Sequence, residues 1–199
     1  MKEILSKNKS KSIFENNPKV TLVFFILIIL SLTDLLFTRT YKYYQSKLKK
    51  EVQKIYVKHD IYHHGFKANS KAELSFGGRN YNIYTNSLGL RDKAIKNIPL
   101  DTNAHRIIFM GDSFTEGIAL DYQDTFVGII DSALSESGID ILNAGRSGYS
   151  PIIYWRKLKY LHEDLNLRFD EVVVAIDISD AFNEFSFYNL TEDLKVESK

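Results

Sequence analysis

Hydrophobic and polar positions divide the 199-residue chain into blocks of different period. Residues 1–19 are polar, with Lys2, Lys7, Lys9, Lys11 and Lys19 set against Glu3 and Glu15. From Val20 to Leu32 only Thr21 and Ser31 interrupt an apolar run, which resumes after Thr33 and Asp34 as Leu35-Leu36-Phe37. A bilayer span needs ~20 such residues. This run reaches that length by taking in Asp34, near one end, where a carboxylate costs less. The pattern predicts a transmembrane helix over 20–38, after a cytoplasmic tail over 1–19. A buried soluble helix and a cleaved signal peptide are the alternatives. The long apolar core and the lack of a small-x-small site favour an uncleaved anchor. Lysines before the span favour an inside N-terminus, although Arg39, Lys42, Lys47, Lys49 and Lys50 follow it.

Over 39–58 there is no Gly or Pro, and Tyr41, Tyr44, Leu48, Val52 and Ile55 recur at helical steps, opposite Lys42, Lys49, Lys50 and Lys54. That predicts a helical stalk. The period then shortens. Ala72–Phe76 and Arg79–Tyr84 flank Gly77-Gly78, which predicts a hairpin with Leu74, Phe76, Tyr81 and Ile83 in contact. Lys93–Asn103, with Pro99, reads as a linker, so 59–103 is a lead-in to the main domain at 104–199. There, Ile107–Met110, Asp140–Asn143 and Glu171–Ile176 are short apolar runs separated by helical patterns, Asp124–Ser137 and a stretch opened by Pro151. Phe126, Val127, Ile130 and Leu134 form the first helix's apolar face. Ile152, Trp155, Leu158, Tyr160, Leu161 and Leu165 are available for burial on the second. Strand–helix–strand–helix–strand predicts a parallel sheet with right-handed crossovers and the first strand between the other two. The β-branched third strand reads as covered on both faces.

Composition narrows the function classes. A net charge of +1 and 44% hydrophobic residues fit one modest folded domain plus an appendage, without a basic face for nucleic acid. With no cysteine, disulfides and thiolate metal sites are excluded. His59-Asp60-Ile61-Tyr62-His63-His64-Gly65 invites a metal reading. Adjacent histidines on a strand face opposite ways, however, so a polar loop packed on the main domain is preferred. No metal site and no cofactor are assigned.

The candidate chemistry lies where strands end. Gly111-Asp112-Ser113 follows the first strand, Asn143-Ala144-Gly145-Arg146-Ser147-Gly148 the second, and Ile178-Ser179-Asp180 the third. Parallel strands bring such loops to one sheet edge, where open α/β sheets bind ligands. Together these segments resemble the first three sequence blocks of the SGNH (GDSL) hydrolase superfamily, over roughly Arg106–Glu184. The hairpin followed by Asn86-Ser87-Leu88-Gly89-Leu90-Arg91-Asp92 resembles the lead-in of its membrane-anchored members. The fold so implied is a partial flavodoxin-like three-layer sandwich behind a β-hairpin and a transmembrane helix.

By that resemblance Ser113 is the nucleophile. Its own amide, the Gly148 amide and the Ser179 side chain form the oxyanion hole, with Asp112, Asn143 and Asp180 in support. Ser179 replaces the family's asparagine, and a hydroxyl is a shorter donor. Asp177, Ser179 and Asp180 also fit a helix N-cap cluster; both roles are compatible. The family's later Asp-x-x-His, which supplies the base, has no counterpart after Ser113. His162 is the only histidine there, on a solvated helix face, and Asp60–His63 precedes the serine. The expectation is a truncated or split chain ending in a polar tail, its third strand left as an unpaired apolar edge. The resemblance implies a single-pass cell-membrane protein, its globular part periplasmic, that hydrolyses or transfers acyl esters of cell-surface carbohydrate. The rival is a non-catalytic membrane-anchored binding or assembly protein on a degenerate SGNH fold. A nucleotide-binding domain is disfavoured, because the first loop lacks a phosphate-binding glycine pattern.

Overall fold

The computed structural model describes residues 17–199, so the lysine-rich tail lies outside it except for its last residues. The first element, α1 (Pro18–Ile55), is one uninterrupted 38-residue helix. It takes in both the predicted span and most of the predicted stalk. It is long and apolar enough to cross a membrane, with mean hydropathy 2.6 over its most apolar window and none of that window buried. The stalk prediction overruns at its end: Tyr56–His59 is strand β1, paired antiparallel with β2 (His63–Phe66). Tyr56 and Val57 are good strand formers. The helix-end carbonyl of Ile55 accepts from Lys67 N at 2.8 Å, which gives the helix a place to stop.

The chain divides after Lys47 into two compact units. The second is built on a six-stranded sheet in the order β3-β4-β5-β7-β6-β8. These strands are β3 (Lys71–Phe76), β4 (Arg79–Thr85), β5 (Arg91–Asp92), β6 (His105–Met110), β7 (Ile139–Asn143) and β8 (Glu171–Val174). As predicted, β6 runs parallel to both β7 and β8 and lies between them. The predicted hairpin is β3–β4, and both turn glycines, Gly77 and Gly78, have positive φ (58° and 80°), as a two-residue hairpin turn demands. It lengthens the sheet through β5, where Arg91 pairs with Thr85 on one side and Asn143 on the other. The whole is an α/β unit on a mixed sheet.

Side chains alternate across β6. Ile108 and Met110 pack with Leu142, Ile153 and Leu161, while Phe109 packs with Val127 and Ile141 on the other face. Helix α3 (Phe126–Leu134) therefore covers one face of the parallel strands and α4 (Pro151–Lys159) the opposite one. Each fully buried side chain of this kind contributes about 1.5–3 kcal/mol. The α4 core also takes in Tyr62, Tyr188 and Val196, so the β1–β2 hairpin and a C-terminal one close over the same face.

Several expectations need correction. Helix α3 is shorter than the predicted Asp124–Ser137, because Tyr122–Asp124 forms a 3-10 turn and the Thr125 hydroxyl caps the helix from Gly128 N. On α4 the buried residues are Ile153, Tyr154, Arg156 and Lys157, and Trp155 is exposed. Phe76 shares the face of Ala72 and Leu74 but is exposed at the end of its strand. Strand β8 is not covered on both faces. Val173 and Val174 are exposed and it forms the sheet's edge, as the unpaired-edge expectation had it. The tail is ordered: α5 (Ile178–Phe187) leads into the hairpin of β9 (Tyr188–Leu190) and β10 (Val196–Ser198).

Candidate functional site

The first loop turns at Gly111, directly after β6. A Cβ there would stand 2.1 Å from Thr115 Oγ1 and 3.0 Å from the Ala175 carbonyl, so no other residue fits this crossing. Asp112 then caps the one-turn helix α2 (Ser113–Glu116), its Oδ1 accepting from Phe114 N at 2.9 Å. Ser113 opens that helix half-buried, and its hydroxyl lies 3.3 Å from Asp112 Oδ2.

The second loop is tied to the first. Arg146 N donates to Gly111 O at 3.1 Å and Ala144 N to Phe109 O at 2.8 Å. The buried Asn143 side chain donates to Thr115 O at 2.8 Å and accepts from Gly145 N at 3.0 Å. Asn143 thus braces one loop on the other. Gly148 has φ +79°, a conformation that favours glycine. The amides of Ser113 and Gly148 donate to no other described residue.

Beneath both loops is a group the sequence reading missed. Glu116 is fully buried, and its Oε2 accepts from Ser147 N at 2.6 Å and Arg146 Nη1 at 3.2 Å, while Tyr56 reaches Oε1 at 3.3 Å. Burial first, and then Glu116, push the Tyr56 phenol well above its usual range. The Arg91 guanidinium, also buried, donates to the carbonyls of Glu116, Gly117 and Leu120, the ends of α2 and the following turn. In the sequence, Arg91 sits in the Asn86–Asp92 segment and Glu116 three residues after Ser113, and nothing there marks them as partners.

The third loop follows β8. Asp177 and Asp180 form a reciprocal capping box on α5, so the N-cap reading of this cluster is seen directly. Ser179 is exposed, and its hydroxyl donates to Asp177 Oδ1 at 2.6 Å. That bond heads the causes that hold the Asp177 carboxyl below its usual range. The loop meets the first one through its aspartates, since one carboxylate oxygen from each of Asp112, Asp177 and Asp180 lies within 4.8 Å of the others. Two ionised carboxylates at that separation repel by roughly 3 kcal/mol at an effective dielectric near ~20. Burial moves the Asp180 carboxyl upward.

No family model, curated protein or solved structure matches this chain. Its site is therefore read from geometry.

The histidines lie on the far side of the second loop. His63 has φ 76°, which breaks the strand alternation and brings two neighbouring rings together. Their Nδ1 atoms are 2.7 Å apart, contrary to the expectation that they face opposite ways. His64 Nε2 faces Ser147 O at 3.1 Å, so it carries a proton. Its Nδ1 then accepts from His63 Nδ1–H, and His63 Nε2 accepts from the Ser198 hydroxyl at 2.8 Å. All four ring nitrogens are used. Burial pushes the His64 imidazole down to about 3, so it is neutral at ordinary pH. His162 is exposed, with Nδ1 3.4 Å from Leu167 O, as the solvated-face reading expected. Lys157, fully buried, donates to Ala144 O at 3.0 Å and to the Tyr149 hydroxyl at 3.2 Å behind the second loop. Burial, with Arg146 adding to it, pushes that amine down to about 7.

Proposed function

We propose that this chain is a membrane-anchored serine ester hydrolase or O-acyltransferase of the SGNH (GDSL) type. Helix α1 would be its single anchor, the globular unit would stand outside the cytoplasm, and the substrates would be acyl esters of cell-surface carbohydrate. The observation that carries the reading is the bracing of the serine loop on the glycine loop at the carboxyl ends of adjacent parallel strands, with two unengaged amides, of Ser113 and Gly148. The strand order β7-β6-β8, with helices on both faces, supports a flavodoxin-like core.

In this reading Ser113 Oγ attacks the ester carbonyl and the two amides receive the developing oxyanion. The alcohol leaves carrying the proton given up by Ser113, and water or a sugar hydroxyl then takes the acyl group from Ser113 and returns its proton to Oγ. A groove of 340 Å³, lined largely by Leu48, Val52, Leu74, Phe76 and Ile118, reaches Ser147 of the second loop, and Ser113 is not among its lining residues. The Ser179 hydroxyl, engaged by Asp177, would have to turn outward to act as third donor. Purified full-length protein in detergent is expected to hydrolyse nitrophenyl acetate or butyrate, with turnover abolished in Ser113→Ala. Turnover indifferent to that substitution rejects the assignment.

A second reading is favoured by one observation. The Ser113 hydroxyl lies against the Asp112 carboxylate, and the one histidine after it in the sequence, His162, is exposed. A serine without a base is a poor nucleophile at neutral pH. Folded protein that turns over neither ester would support a non-catalytic binding or assembly role on the same fold.

A further inference from the structure

We infer that His64 is a positioning residue for the serine chemistry proposed above: from β2 it holds the Ser147 carbonyl and so aims the Gly148 amide at the oxyanion. That role rests on the reading of Ser113 as nucleophile and names the side chains behind its second donor.

A peptide group is planar, and in the trans form its C=O and N–H point opposite ways. The unit joining Ser147 to Gly148 has one end taken and one end open. Its carbonyl accepts from His64 Nε2 and from Arg146 Nη1, both at 3.1 Å. Its N–H, on Gly148, donates to no described residue. Arg146 lies on the loop itself, so His64 is the donor that reaches this carbonyl from another element. Gly148 gives the loop backbone freedom, and pinning the carbonyl stops rotation of this one peptide plane. A Cβ at 148 would stand 3.8 Å from His64 Nε2 and 3.7 Å from the Tyr188 hydroxyl, so both side chains flank the same side of the glycine. Tyr188 donates to the carbonyl beyond it, Gly148 O, at 2.7 Å.

The imidazole is itself held. The Tyr149 hydroxyl donates to His64 O at 2.7 Å, and the two rings meet edge to face at 4.9 Å. A carbonyl only accepts, so the order of protons runs one way: Ser198 O–H to His63 Nε2, His63 Nδ1–H to His64 Nδ1, His64 Nε2–H to Ser147 O. Burial lowers the His64 imidazole to about 3, which keeps it neutral and preserves that order. Each bond in such a chain polarises the next, and a carbonyl that accepts strongly leaves its own N–H a stronger donor. Bonds that merely seated β2 on the second loop could end on any carbonyl there. This chain ends on the one whose peptide carries the unengaged amide.

The test compares Ser113-dependent hydrolysis of nitrophenyl acetate by the full-length parent, His64→Phe, His64→Gln and Tyr188→Phe in detergent, with rates taken per mole of cooperatively unfolding protein. Phenylalanine keeps a ring and removes the donor; glutamine restores an N–H at about the reach of Nε2. An oxyanion donor acts in the transition state, so His64→Phe is expected to lower kcat and kcat/KM together by ~10-fold or more, towards the ~10²–10³ of a lost donor, with KM unchanged. His64→Gln is expected to recover most of that loss, and Tyr188→Phe to lower kcat less than His64→Phe does. Turnover equal in parent and His64→Phe would overturn the inference, as would a loss confined to KM or one that His64→Gln leaves unrecovered. A measurement on the parent needs no variant to fold: nitrogen-15 spectra of histidine-labelled protein are expected to show His64 neutral, protonated at Nε2 and bare at Nδ1. Protonation at Nδ1 instead would also overturn the inference. A parent without Ser113-dependent turnover would overturn the serine reading and this role with it, an outcome distinct from turnover that ignores His64.

Discussion

Glu116 shows how much of the site depends on single buried charges. Its carboxylate receives an amide and a guanidinium from the second loop and a phenol from β1. Removing one partner of a buried pair costs about 3–5 kcal/mol. Glu116→Ala is therefore expected to lower unfolding stability by about that much in denaturant titrations, and to loosen the Arg146–Gly148 loop. Lys157 offers a pH signature. Its folded value, about 7, lies below its usual 10.5 because of burial. Between those two values the unfolded chain holds a proton that the folded one has shed, so this group makes stability rise with pH across that window. Below pH 7 both states are charged and the cost of burying the ammonium is felt in full. The difference in stability between the parent and Lys157→Met should climb between pH 7 and 10, by at most about 1.4 kcal/mol per unit. A flat difference would mean that the amine is not buried as described. None of this was legible in the sequence. The loops that carry Ser113, Asn143 and Gly148 could be placed at strand ends because each loop follows an apolar run and is rich in turn residues. Glu116 and Lys157 look like surface charges until the fold supplies Ser147 N and Ala144 O.

Elements were most readable where local chemistry and tertiary packing agree. The β3–β4 hairpin has alternating strands and two turn glycines, and it forms within a residue of its predicted bounds. Helix α3 was read too long because the start of its pattern is taken by a 3-10 turn. Its true start depends on Thr125, which is buried, accepts from Gly128 N at 3.0 Å and donates to Tyr122 O at 2.7 Å. Thr125→Ala should cost about 1–2 kcal/mol in the unfolding midpoint, and Thr125→Ser should recover most of it. The buried face of α4 was misjudged for a different reason. An apolar count favours Trp155 and ignores Lys157, whereas the helix turns Ile153, Tyr154 and Lys157 inward. The β9–β10 hairpin was invisible because its strands are short and polar. Val196, 2% exposed with its amide on Ile61 O at 2.9 Å, is what seats it.

For the whole molecule, two apolar surfaces dominate behaviour in solution. The first is α1, whose exposed Val20–Phe37 stretch suits lipid. The chain should stay with the membrane pellet through an alkaline carbonate wash; release by that wash would argue against a spanning helix. The second is the β8 edge with α5, where Ile178 is 90% and Phe185 81% exposed. An uncovered apolar edge of this kind favours self-association. Phe185→Lys should therefore reduce higher-order species in light scattering of the detergent-solubilised protein, with no loss of thermal stability. The edge strand was foreseen from the order of the apolar runs, but its exposure was not. A β-branched strand reads as doubly buried, and only the complete topology shows that nothing lies beyond it among the described residues.

The claim that joins these scales is that Ser113, lifted out of the sheet by Gly111, meets an ester carbonyl beside the Gly148 amide. Its most direct test is intact-protein mass spectrometry after treating the folded full-length chain with a fluorophosphonate, alongside Ser113→Ala. The expected result is a single adduct that maps to Ser113 and disappears in the variant. No adduct on protein whose cooperative unfolding is intact, or an adduct that persists in Ser113→Ala, would contradict it.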